Sequence, residues 1–107
     1  MEFPDDENGN VLRKMQERGD DLSKPRDINF YFAFPDQESA RNFAEEVRST
    51  TKLTAEASRY QERNMWQASV TQRMVPTYSE ITALEQSLNY LAKAHGGEAD
   101  GWGCFKQ

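Results

Sequence analysis

The chain has 107 residues, of which 36% are hydrophobic, and its formal net charge at pH 7 is −5. This length and hydrophobic content predict a single domain over residues 1–107 with one modest core. They exclude a membrane-crossing helix, because no apolar run approaches the roughly 18 residues that such a helix needs. The acidic start predicts no secretory signal, and the lone Cys104, which cannot form an internal disulfide, favours a cytoplasmic location.

Negative charge is concentrated near the N-terminus. Residues 1–21 contain seven acidic and three basic side chains, which gives this segment a charge of −4. Such a segment disfavours nonspecific binding to nucleic acid phosphates, because that binding depends on clustered cations. It favours docking to a basic partner.

The first predicted element is a short acidic helix within residues 1–19. Asp6 can cap it, apolar residues at helical spacing follow, and Gly19 can end it. Five charged residues then lie between Gly19 and Ile28. We interpret this run as a structural junction with a docking role, and the simpler alternative is a soluble turn after a helix C-cap.

Residues 27–34 predict a strand, because large apolar side chains occupy every second position from Ile28 to Phe34. Asp36 then caps a second helix. Its apolar face follows the i, i+3, i+4, i+7 spacing and consists of Ala40, Phe43, Ala44 and Val47.

Two further strands, over residues 52–60 and 64–75, are predicted to form a hairpin. Alternation is weaker in the first of them and stronger in the second. Pro76 ends the second strand, since proline cannot donate a ladder hydrogen bond.

Thr77 and Ser79 compete to cap the last helix, and Glu80 would complete a capping box with Thr77. Gly96-Gly97 ends this helix, and the glycine-rich tail over 96–107 can supply a short edge strand at 102–105. The buried stripe of the helix is expected to be Ile81, Leu84, Leu88 and Leu91.

The predicted order is a helix, then strand-helix-strand-strand-helix, then the short final strand. One-sided strands and amphipathic helices predict an antiparallel sheet with helices on one face. This α+β order is the ferredoxin-like split βαβ sandwich, with an extra N-terminal helix.

No pattern in the chain predicts catalysis. His95 stands at a helix end, where the helix dipole explains it better than a catalytic role. His95 and Cys104 do not make a zinc site, because zinc needs three or four ligands at defined spacing. They are at most a weak candidate for a Cys-His nucleophile pair. The acid pairs at residues 5–6 and 20–21 could bind magnesium or act as acid and base, but adjacent acids at a helix start are typical caps. We therefore predict no enzyme, no catalytic residue, no metal and no cofactor.

An RNA-binding or self-associating module is the alternative function. Ferredoxin-like sheets include an RNA-recognition module that stacks bases on exposed aromatic side chains. The predicted open face is a thin platform and lacks the basic-glycine-aromatic signature, so we expect no direct nucleic acid binding and a monomer or weak dimer. The side chains expected on this face are Tyr31, Tyr60, Gln67, Ser69, Thr71 and Arg73.

Five segments carry a resemblance to a known family. They are Phe3-Pro4-Asp5-Asp6, residues 19–28, Phe34-Pro35-Asp36, Met74-Val75-Pro76-Thr77 and Asp100-Gly101-Trp102-Gly103-Cys104-Phe105. They occur in the same order over nearly the whole chain, and they resemble the bacterial ribonuclease E inhibitor family, the regulator of ribonuclease activity B group.

The resemblance implies a ferredoxin-like fold and binding to ribonuclease E outside its catalytic centre, in the scaffold part of that enzyme, which lowers RNA cleavage. It implies no catalysis by the chain itself. The resemblance also implies that the scaffold is disordered and rich in arginine, so an acidic domain would be complementary to it in charge. The candidate contact residues are Asp5, Asp6, Glu7, Asp20, Asp21 and Asp27, with Trp102 and Phe105 as aromatic anchors.

Overall fold

The computed structural model describes residues 4–60 and 65–104, and the side chains of Arg59 and Tyr60 lie outside the described part. Its elements are α1 (Glu7–Glu17), β1 (Arg26–Phe34), α2 (Gln37–Thr50), β2 (Thr54–Tyr60), β3 (Met65–Met74), α3 (Tyr78–Ala94) and β4 (Glu98–Gly103). The four strands form one antiparallel sheet in the order β2-β3-β1-β4. This order confirms the predicted split βαβ arrangement with an additional N-terminal helix.

β1 is a central strand, and its alternation is the one predicted. Ile28, Phe30, Phe32 and Phe34 are fully buried on the face that the helices cover. They form one cluster with apolar side chains of α2, α3 and β3. Burial of each large side chain stabilises the fold by about 1.5–3 kcal/mol, which makes this strand the centre of the core.

α2 begins and packs as its sequence predicts. The Asp36 carboxylate accepts a hydrogen bond from the Ser39 amide at 2.8 Å, which satisfies one free donor of the first turn. Phe43 lies with its ring centroid 5.1 Å from that of Phe32 and 5.2 Å from that of Phe34. The tilted ring pairs fix the helix over the centre of the sheet.

α3 is capped by Thr77, which decides between the two candidate caps. The Thr77 hydroxyl accepts from the Glu80 amide at 3.3 Å. The second hydrogen bond of a capping box would run from the Thr77 amide to the Glu80 side chain. The Thr77 amide donates to the Val75 carbonyl instead. Within the predicted stripe, Ile81 and Leu88 are buried, and Leu84 and Leu91 are partly buried against the core. Ala92 is also fully buried, although its small side chain gave little signal in the sequence.

β4 differs from its predicted position. The strand begins at Glu98, four residues earlier than expected, and ends at Gly103. It pairs with β1 through Ala99 opposite Phe32 and Trp102 opposite Phe30, with an irregularity between them where Gly101 has a φ of 98°. The free edge of β1 aligns this segment through backbone hydrogen bonds, which require no apolar pattern in the segment itself.

Gly97, between α3 and β4, has no room for a side chain. A Cβ atom at this position would lie 2.3 Å from Cε1 of Phe34, which is fully buried. We expect Gly97→Ala to lower the free energy of unfolding by about 1–3 kcal/mol, because the ring would have to move within a packed core. Urea unfolding measures the change. Gly103→Ala is the matched control, since nothing lies within 4 Å of its added Cβ, and equal effects of the two substitutions would contradict the prediction.

Candidate partner-binding surface

The start of α1 is held against the start of α3 through Asp6. One carboxylate oxygen of Asp6 accepts from the Gly9 amide at 2.8 Å, and the other accepts a hydrogen bond from the Tyr78 hydroxyl. Both donors lower the pKa of Asp6 below its ordinary value of 3.8, and the Tyr78 hydroxyl contributes more than the Gly9 amide. The neighbouring Asp5 and Glu7 are exposed, so this end of the molecule presents carboxylates to solvent.

Asn8 connects α1 to two distant parts of the chain. Its side-chain nitrogen donates to the Thr82 hydroxyl and to the Glu85 carboxylate, both at 3.1 Å, and its side-chain oxygen accepts from the indole nitrogen of Trp102 at 2.8 Å. Trp102 is partly buried and packs against the core cluster. The structure therefore gives the predicted anchor Trp102 a structural contact, while Phe105 lies outside the described residues. No periodic pattern in the sequence marks Asn8.

The charged junction before β1 is organised around Arg26. Its Nη1 lies 2.6 Å from Oδ2 of Asp20, and the two side chains are 1% and 3% exposed. Its Nη2 donates to the Asp21 carbonyl at 2.7 Å and to the Lys24 carbonyl at 3.3 Å. Asp20 is therefore removed from the candidate contact set, because its carboxylate is buried in an ion pair. A sequence pattern of alternating charges does not distinguish this buried pair from exposed ones.

Asp21, the adjacent acid, is exposed. Its Oδ1 accepts from the Ser23 amide at 3.0 Å and from the Ser23 hydroxyl at 2.6 Å. Both hydrogen bonds lower the pKa of Asp21, and the Ser23 hydroxyl contributes more than the Ser23 amide. The carboxylate therefore stays ionised to a lower pH than a free aspartate. Asp21 thus offers a fixed negative charge at the surface.

A groove lies between this junction and the β3–α3 connection. The antiparallel register that pairs Arg26 with Met74 brings the two loops together, although they are far apart in the sequence. The groove has a volume of about 680 Å³. Asp21 lines it, and Asp6 is bonded to another of its lining residues, Tyr78. The apolar side chains that line it are Pro4, Leu22, Val75, Pro76 and Tyr78.

The family model for regulator of ribonuclease activity B matches residues 5–104, a span that contains all seven elements. The chain belongs to this family. No curated protein matches the chain. The regulator of ribonuclease activity B family is named for control of a ribonuclease and is not a catalytic family, so a ribonuclease is the kind of partner that it implies.

Within residues 4–60 and 65–104, no three metal-binding side chains converge, and no helix is long and apolar enough to cross a membrane. His95 lies 3.5 Å from Glu46 and edge-on to Phe43 at the end of α3. Burial raises the pKa of the Cys104 thiol above its ordinary value, and the nearby Arg26 acts in the opposite direction.

Asp27 lies away from the groove on the open face of the sheet. It faces Arg73 across the β1–β3 pair, with 3.6 Å between the guanidinium and the carboxylate, and both side chains are exposed. Arg73, the arginine expected on the open face as a nucleic acid contact, therefore lies beside a carboxylate. The remaining carboxylates at the α1 and junction end, Asp5, Asp6, Glu7 and Asp21, are called the acidic surface below.

Proposed function

We propose that the protein regulates ribonuclease E by binding the basic scaffold region of that enzyme through the acidic surface, and thereby lowers RNA cleavage. The membership of the family over residues 5–104 is the observation that carries this proposal. The finer identity of the partner follows the resemblance of the chain to inhibitors of ribonuclease E. In this view the chain itself performs no chemistry.

The geometry of the acidic surface supports such a role. Asp6 and Asp21 are held by hydrogen bonds from neutral donors, so they are ordered and ionised before a partner arrives. A disordered basic segment loses conformational freedom on binding, and fixed charges on the partner reduce the total cost of ordering. Charge complementarity of this kind gives fast association that weakens with salt.

A cleavage assay with two forms of ribonuclease E tests the proposal. One form carries the scaffold region, and the other retains only the catalytic part. We expect the protein to slow cleavage of a reporter RNA by the first form and to leave the second form unaffected, with a smaller effect at high salt. Unchanged cleavage by both forms, together with no complex at low salt, would overturn the proposal.

A further inference from the structure

The lining of the groove contains apolar side chains, and several of its backbone groups lack a donor or are already hydrogen-bonded. Its polar side chains include Gln16, Ser23 and Ser79. Pro76 has no amide hydrogen, and the Thr77 amide already donates to the Val75 carbonyl at 2.9 Å. The Asp21 carbonyl accepts from both Arg26 and the Lys24 amide. The backbone of these lining residues therefore offers few unsatisfied groups, and the apolar side chains of the lining can pack against an aliphatic side chain of a ligand.

Two carboxylates accompany these apolar side chains. Asp21 is one of the lining residues, and the Asp6 carboxylate accepts a hydrogen bond from the lining residue Tyr78. Among the described residues, neither carboxylate lies within ion-pair distance of a cation, and both accept hydrogen bonds from neutral donors. Lys24 and Arg26 are near enough to Asp21 to contribute to the lowering of its pKa. Two ionised groups beside apolar side chains attract a cation and repel a phosphate backbone.

We propose that the groove binds one aliphatic side chain of a partner protein segment in which arginine or lysine flanks that side chain. The inference deepens the proposed function, because it specifies what part of a basic scaffold would dock here. The aliphatic anchor supplies hydrophobic burial, and the flanking cations reach the Asp6 and Asp21 carboxylates. A segment with cations alone would lack the aliphatic anchor. A purely apolar segment would bring no cation to the Asp6 and Asp21 carboxylates.

Short labelled peptides test the anchor directly. The first peptide is Arg-Arg-Ser-Leu-Ser-Arg-Arg with a fluorescein label, the second has serine in place of leucine, and the third has glutamate in place of every arginine. Fluorescence anisotropy at low salt measures each affinity for the full chain. We expect the leucine peptide to bind about tenfold more tightly than the serine peptide, and the glutamate peptide to bind much more weakly than either.

Ser79→Trp is the variant that fills the groove, because Ser79 is exposed and lines it without belonging to the core. Ser87→Trp is its matched control, since Ser87 is exposed on the same helix and lines a different depression. Ser79→Trp should abolish the preference for leucine over serine, and Ser87→Trp should retain it. Circular dichroism of both variants checks that each is folded.

Several outcomes would overturn the anchor. They are equal binding of the leucine and serine peptides by the unmodified chain, a preference that survives in a folded Ser79→Trp variant, and a dimer that Ser79→Trp dissociates, which would assign the groove to a second copy. The ribonuclease assay separates this inference from the proposed function. Slowed cleavage without a leucine preference overturns the anchor alone, whereas a leucine preference without any effect on cleavage overturns ribonuclease E as the partner.

Discussion

Replacement of Arg26 by methionine should lower the free energy of unfolding by about 3–5 kcal/mol, the cost of leaving one member of a buried ion pair without its partner. The Asp20 carboxylate, whose side chain is 3% exposed, would lose the guanidinium that lies 2.6 Å away. The carbonyls of Asp21 and Lys24 would also lose donors. Urea unfolding of the two proteins at neutral pH measures the difference.

Two controls make the Arg26 prediction specific. Arg73→Met removes an exposed pair with Asp27 and should cost no more than about 1 kcal/mol. The double variant Arg26→Met/Asp20→Leu should recover much of the stability that Arg26→Met loses, because it leaves no buried charge behind. Equal losses for Arg26→Met and Arg73→Met would show that the buried pair is not the source of the stability.

Neutralisation of the acidic surface should weaken binding to the scaffold of ribonuclease E by about a hundredfold at low salt, since four negative charges are removed from the start of α1 and the junction before β1. The variant combines Asp5→Asn, Asp6→Asn, Glu7→Gln and Asp21→Asn. Asparagine is also a good N-cap, so Asp6→Asn should leave α1 intact. Titration of the labelled scaffold at two salt concentrations measures the affinity, and the difference from the unmodified chain should shrink at the higher salt.

The matched control carries the same change of net charge elsewhere. It combines Glu38→Gln, Glu45→Gln, Glu56→Gln and Glu98→Gln, all at exposed positions outside the acidic surface. This control should bind nearly as well as the unmodified chain. Equal weakening of the two variants would instead indicate a general effect of net charge, and no weakening of either would exclude the acidic surface as the contact.

The pH dependence of binding follows from the same carboxylates. Hydrogen bonds lower the pKa values of Asp6 and Asp21 below their ordinary value, so both carboxylates stay ionised to a lower pH than free carboxylates do. Their contribution to binding should be fully present at neutral pH and should disappear as the pH falls through the lowered values. Titrations over a pH series with the unmodified chain check the direction of this change.

Elements with strong periodicity could be predicted from the sequence. In β1 and α2, apolar side chains recur at the period of the element, and all of the predicted ones are buried where the pattern places them. β4 could be predicted only approximately, because its position depends on the free edge of β1 and its own residues carry no apolar alternation.

The candidate site was harder to predict, because it depends on contacts between distant residues. The cluster of acids near the N-terminus was evident, but Asp20 and Asp21 are adjacent and have opposite environments, one buried by Arg26 and the other exposed. The groove requires the register between β1 and β3, which no local motif specifies. Tertiary pairing, which local sequence does not encode, therefore decides which acids face a partner.

The hydrogen bond between Asn8 and Trp102 joins positions 94 residues apart. Contacts of such long sequence separation require the closure of a long loop, which slows the folding of a chain. Because Asn8 also donates to Thr82 and Glu85, the position of α1 depends on α3 and β4 together. A change in β4 that displaces Trp102 would therefore be transmitted to the start of α1, where Asp5, Asp6 and Glu7 of the acidic surface lie.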